Sequence, residues 1–240
     1  MKLTFLGTRG EIEARTAAHG MHSSLLVTHR KQRVMVDCGR DWLSRVAEIA
    51  PHAIVLTHAH PDHAFGLQRG APCPVYATAE AWQSIESYPI SEPKLIEPRT
   101  PTTVKGITFE AFQVEHSITA PAVGYRITAG GSSVFYAPDL IVIHDRTDAL
   151  RDAALFIGDG ASMSRSFIRA RGTALIGHAP VRTQLGWCKA EGVPRAIITH
   201  CGNEVVSGDE RQLAEQLEKW AAERGITAEF AYDGMEIIIR

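Results

Sequence analysis

Ala53-Ile54-Val55-Leu56-Thr57-His58-Ala59-His60-Pro61-Asp62-His63 is the stretch on which the fold of this chain turns. Its first four residues are an unbroken apolar run, read as a strand buried on both faces. Pro61 suits the first turn of a helix, which makes His60 the expected cap. A strand-to-helix corner can aim His58 and His60 at one point, and Asp62 with His63 at a neighbouring one. Neutral imidazoles and carboxylates are standard ligands of a borderline divalent metal. Three histidines and an aspartate so close together are costly to bury without a metal or another partner. One such histidine is as readily a solvated loop residue, but the whole run is not.

The same residue types recur where other apolar runs end. His116 follows Ala111-Phe112-Gln113-Val114-Glu115, and Asp139 follows Val134-Phe135-Tyr136-Ala137-Pro138. Asp159 follows Leu155-Phe156-Ile157-Gly158, His178 follows Leu175-Ile176-Gly177, and His200 follows Ala196-Ile197-Ile198-Thr199. Sheet-based folds assemble a site on rigid supports by bringing such strand ends together.

The remaining residues give this site an ordinary globular setting. The 240 residues are 45% hydrophobic and 22% charged, so disorder is excluded. No linker or repeat divides them, and one domain over 1–240 is expected. Twenty-five basic against 27 acidic residues give a net charge of -2 and no general attraction to nucleic acid. No run approaches the length of a membrane span. Lys2–Leu6 reads as a first strand rather than a leader, and four cysteines without a C-x-x-C pair suggest reduced thiols in a cytoplasm.

Further strands are expected at Ser24–Thr28, Arg33–Asp37, Val75–Ala77, Val104–Glu110, Ala111–Glu115, Ala122–Thr128, Ser132–Tyr136, Ile226–Phe230 and Met235–Ile239. Helices are expected over Trp42–Ala50, over Ala79–Ser87 with Thr78 as cap, and from a Ser207-x-x-Glu210 capping box to Arg224. The mixture suggests a layered α/β fold with mixed sheets.

In these motifs the chain resembles the metallo-β-lactamase superfamily along nearly its full length. The resemblance implies an αββα sandwich of two mixed sheets flanked by helices, with two divalent metals at one sheet edge. Zinc is the first expectation, with manganese or iron as alternatives. By that resemblance His58, His60 and His116 hold one metal, Asp62, His63 and His200 hold the other, and Asp139 bridges them. A hydroxide between the metals is then the nucleophile. Asp37 matches an aspartate of the family behind the ligands, although an ordinary turn aspartate before Gly39 reads equally well.

His178, placed one helix and one strand before His200, resembles the layout of ribonuclease Z and of the cyclic-phosphate diesterase of phosphonate degradation. There a histidine outside the ligand set assists phosphodiester cleavage, and Asp159 matches the acidic residue that orients it. Asp62, His178 and Asp159 are thus the residues expected in catalysis. Two departures stand out. Only 23 positions separate His116 from Asp139, leaving no room for a tRNA-gripping arm, and no cysteine cluster exists for an additional structural zinc. The expected substrate is a small phosphodiester or related ester; nucleic acid and a homodimer stay open. A lactonase, thioesterase or β-lactamase activity on the same metals is the competing enzyme reading, and a non-catalytic metal-binding partner protein the competing class. Arg165, Arg169 and Arg171 suit phosphate oxygens but read equally as a solvated basic loop. His19 and His22 are candidates to border the cleft.

Overall fold

Alternation within the short strands explains the layering. In Gln32–Val36, Val34 and Val36 point into one core while Met35 points into another, and Ala53, Ile54 and Val55 divide in the same way. Across the molecule Val134 and Tyr136 face the first core and Phe135 a third. Strands apolar on both faces must be covered twice, and the chain meets this by stacking two sheets and coating each outer face with helices.

The computed structural model describes residues 1–172 and 174–240, without the side chains of Arg171 and Ala174. Among the described residues it forms two main sheets, of seven and eight strands. The first runs, in spatial order, Glu236–Ile238, Lys2–Gly7, Ser24–His29, Gln32–Val36, Ala53–Val55, Val75–Ala77 and Pro93–Leu95. The second runs Val142–Ile143, Ile107–Glu115, Ala122–Ala129, Ser132–Tyr136, Leu155–Asp159, Arg195–Thr199 and Thr227–Phe230, and Thr102–Val104 also pairs with Ile107–Glu115. Both sheets mix parallel and antiparallel pairs. Leu3, Phe5, Val27, Phe109, Tyr125 and Ile157 fill the space between them. Helices Val181–Glu191 and Glu210–Ala222 cover one outer face through Leu185, Cys188, Leu217 and Trp220, and Trp42, Val46, Ala81 and Ile85 cover the other. This is the αββα sandwich of two mixed sheets that the resemblance implies. Among the described residues no helix is long and apolar enough to cross a membrane.

Several local expectations fail for identifiable reasons. The helix over Trp42–Ala50 is broken into a 3-10 turn at Arg40–Trp42 and one helical turn at Val46–Ile49. Ser44 lies at φ 65° between them, a conformation no helix accommodates. Val104–Glu110 and Ala111–Glu115 are divided elsewhere: Lys105 and Gly106 turn the chain at positive φ, and Ile107–Glu115 is one strand. The last long helix is capped by Asp209, whose carboxylate accepts the Gln212 N–H at 2.9 Å, and not by Ser207, which ends the preceding helix Asn203–Val206. Thr78 does cap its helix, although that helix stops at Ser84.

Candidate metal centre

The corner at Thr57–His63 forms as its sequence requires. His60 caps the helix Pro61–Ala64 from extended backbone (φ -64°, ψ 156°), with Pro61 in the first turn. That helix buries Asp62 and His63, while His58 is held just beyond the strand Ala53–Val55. His116, Asp139 and His200 arrive from the ends of Ile107–Glu115, Ser132–Tyr136 and Arg195–Thr199.

Three overlapping groups of donors result: two hold the expected ligands, and a third joins Asp159 and His178 to Asp139 and His200. His58 Nε2 and His116 Nε2 each lie 3.1 Å from His60 Nδ1, and Asp139 Oδ2 stands 3.5 Å from His58 Nε2. In the other set His63 Nε2 lies 3.3 Å from Asp62 Oδ2 and 2.8 Å from Asp139 Oδ2. His200 Nε2 lies 3.1 Å and 3.3 Å from the same two oxygens. Asp139 Oδ2 belongs to both sets.

The donor chemistry fits cations. Nitrogen ligands about 2.0–2.1 Å from a tetrahedral metal stand about 3.3 Å from one another, close to the separations here. His63 makes the point most directly. Its Nδ1 lies 2.9 Å from Asp37 Oδ2, and a carboxylate can only accept, so Nδ1 carries the proton. Its Nε2 is buried without a hydrogen-bond partner and faces two carboxylate oxygens; burial opposes a charge there, but Asp62 and Asp37 outweigh it and hold the His63 pKa well above the usual imidazole range. Such a place holds a positive charge, a proton or a metal ion that takes the proton's place. Burial and then the neighbouring His116 push the His60 pKa down to about 4, so that imidazole is neutral as a ligand must be.

Behind these groups stands a set of anchors. Asp37 also accepts the Thr57 N–H at 2.8 Å and the Thr57 hydroxyl at 2.9 Å. His116 Nδ1 lies 3.1 Å from the Gly177 carbonyl, and the Gly177 N–H donates back to the His116 carbonyl at 3.0 Å. Gly177 sits at φ 127° with the Phe167 carbonyl 2.0 Å from where a Cβ would lie, so only glycine fits.

His178 lies beside the second set. Its Nδ1 is 2.8 Å from Asp159 Oδ2 and 3.2 Å from Asp139 Oδ1, and its side chain is 24% exposed. Burial opposes a charge on His178, but Asp159 and Asp139 outweigh it and push its pKa up to about 11. Asp159 is itself fixed: its carboxylate accepts the Ala161 and Leu140 N–H groups at 2.8 Å and 3.2 Å. Gln184 brackets its backbone, accepting the Asp159 N–H at 2.9 Å and donating to its carbonyl at 2.7 Å.

All of this opens on one cleft of about 530 Å³, whose walls include His60, Asp62, His116, Asp139, His178 and His200. His19 and His22 do not border it. His19 Nδ1 lies 2.8 Å from the Thr8 hydroxyl, and His22 Nδ1 lies 2.9 Å from Asp41. Arg165 and Arg169 are exposed and outside the cleft wall, Arg165 lying over the Phe167 ring, and the side chain of Arg171 is outside the described residues. Cys201 is a tether: its N–H donates to Thr8 at 2.7 Å and its carbonyl accepts from Gly10 at 3.0 Å. Sequence reasoning missed Gln184, Glu11, Ile12 and Phe167. Gln184 alone left a signal, a polar residue on the apolar face of its helix beside Val181, Leu185 and Cys188.

The model of the beta-lactamase superfamily domain matches residues 32–201, and the chain belongs to that family. It is a metal-dependent hydrolase of the metallo-β-lactamase fold. Over 254 aligned residues it is 25% identical to ribonuclease Z of Mycobacterium bovis (strain BCG / Pasteur 1173P2), covering 88% of this chain and 90% of that one. The crystal structure of a diphosphatase from the PhnP family shares the fold with a TM-score of 0.74 at 17% identity, over 100% of this chain and 98% of that one. The fold protein YhfI from Bacillus subtilis does so with a TM-score of 0.73 at 21% identity, over 98% of both chains.

Proposed function

We propose that the chain is a binuclear phosphodiesterase built as one domain over residues 1–240. His58, His60 and His116 hold one divalent ion, Asp62, His63 and His200 the other, and Asp139 Oδ2 is shared. Zinc suits this nitrogen and oxygen set, as do manganese and iron. Two such ions, when bound, supply an activated water and offset charge on the phosphoryl oxygens.

The chain's own residues do the rest. Asp37 keeps His63 in the tautomer that presents Nε2 inward. His178, charged and held through Nδ1 by Asp159, donates its Nε2 proton to the departing oxygen. Asp159 orients that ring, and Gln184 fixes the backbone that carries Asp159. The carrying observation is the Asp159–His178 pair at 2.8 Å beside both donor sets, since an acid at that place serves a poor alkoxide leaving group.

The test is turnover of a phosphodiester, a lactone, a thioester and a chromogenic β-lactam by protein of measured metal content. Fastest turnover is expected with the phosphodiester. Preference for a carbonyl substrate moves the activity to that class, and inactivity on all four favours a binding role.

A further inference from the structure

The catalytic groups account for only part of the cleft wall. Ile12, Ala161, Phe167 and Ile176 supply another part, continuous with His178 through Gly177. Phe167 is 42% exposed and the adjacent Ile168 39%. Its backbone is pinned where Gly177 passes its carbonyl, and the Arg165 guanidinium lies 5.7 Å from its ring centre. The residue lines the cleft wall. Beyond the donor sets and His178, the charged residues on the wall are Glu11 and Glu204, whose Oε2 accepts the Met163 N–H at 3.0 Å. Among the described residues lining the cleft none is lysine or arginine. A nucleic-acid strand is tracked by lysine and arginine side chains along its phosphates, and this wall offers none.

We infer that the substrate is a compact phosphodiester with one apolar ester arm, of benzyl size, seated against Ile12, Phe167 and Ile176. This rests on the phosphodiesterase reading. Room is sufficient: a dry cavity on the order of 150 Å³ takes a benzene ring, and the whole cleft is about 530 Å³. Ile176 stands two residues before His178 and the Phe167 carbonyl lies against Gly177, which puts the apolar arm on the His178 side of the cleft.

The probes are benzylphosphonate and methylphosphonate, bound to metal-loaded protein and followed by isothermal titration calorimetry. Covering one ring with apolar wall is expected to favour the benzyl compound at least ~10-fold. Phe167→Ala and Ile176→Ala are expected to narrow that ratio to under ~3-fold. Phe167 is exposed enough that its loss leaves folding intact. Equal binding of the two phosphonates, or a ratio untouched by both substitutions, overturns the inference. If the benzyl preference holds while no phosphodiester is turned over, the phosphodiesterase reading falls and the apolar subsite stands. If phosphodiesters are turned over but the two phosphonates bind alike, only the apolar subsite falls.

Discussion

Asp37 Oδ2 lies 2.9 Å from His63 Nδ1, and neither side chain is exposed. The pair lies behind the donor cluster, where the carboxylate sets the tautomer of the imidazole. Asp37→Asn keeps the shape and removes the charge. It is expected to weaken binding of one of two ions by about 10–100-fold, the usual effect of removing such a support. Competition with a chelating dye measures this. Unchanged affinity at both ions counts against a supporting role.

The two donor sets predict a stoichiometry. Metal-loaded protein is expected to saturate at about two ions per chain, because each set offers three ligands and a share of one carboxylate. His58→Ala should lose one ion, Asp139→Ala should weaken both, and each should abolish hydrolysis. Chelation should also lower Tm, since an ion that binds only the folded chain stabilises it. Elemental analysis that plateaus at one ion contradicts the binuclear arrangement.

Much of this site is legible in the sequence because strand ends converge. Each apolar run that closes on His, Asp or a His-rich corner delivers its residue to one edge of the sandwich, and local pattern suffices to read that. What stays hidden depends on distant partners. Gln184 meets Asp159 across 25 positions and Asp41 meets Arg9 across 32, and neither pairing leaves a periodic trace. Short edge strands such as Val142–Ile143 exist only because Glu115 and Val114 lie alongside to pair with them. The misplaced cap follows from two adjacent candidates, Ser207 and Asp209, between which only the turn geometry decides.

Arg9 gives a prediction about stability. Its side chain is 1% exposed, and its guanidinium meets Asp41 at 2.7 Å and carbonyls of Gly10, Ile12 and Gly20. Asp41→Ala leaves a buried cation unpaired, which typically costs about 3–5 kcal/mol; Asp41→Asn, which keeps an acceptor, should lose less. Burial works against the Asp41 charge, but the hydrogen bond from Arg15 and the nearby His22 hold its pKa below the usual range. The pair's contribution is therefore present above the unfolded carboxylate value of about 3.9 and fades as pH falls through the lower folded value. Urea unfolding of wild type and Asp41→Ala from neutral to acid pH checks both. Curves that stay equally far apart at every pH contradict the account.

His178 separates proton donation from metal binding. If it only protonates the departing oxygen, His178→Ala keeps its metal, because no donor set of the proposed centre includes it. The loss of rate should then depend on what leaves. An alkoxide needs the proton, so a diester with an alkyl or ribose leaving group should lose roughly 100-fold or more. A nitrophenolate departs without help and should lose far less. Asp159→Asn should act in the same direction but more weakly, as it retains an oxygen facing His178 Nδ1 and removes only the charge that favours the imidazolium. The measurement is kcat for both diesters beside metal content for each variant. Equal losses on the two leaving groups would remove His178 as the acid, and an ion missing from His178→Ala would place it among the ligands.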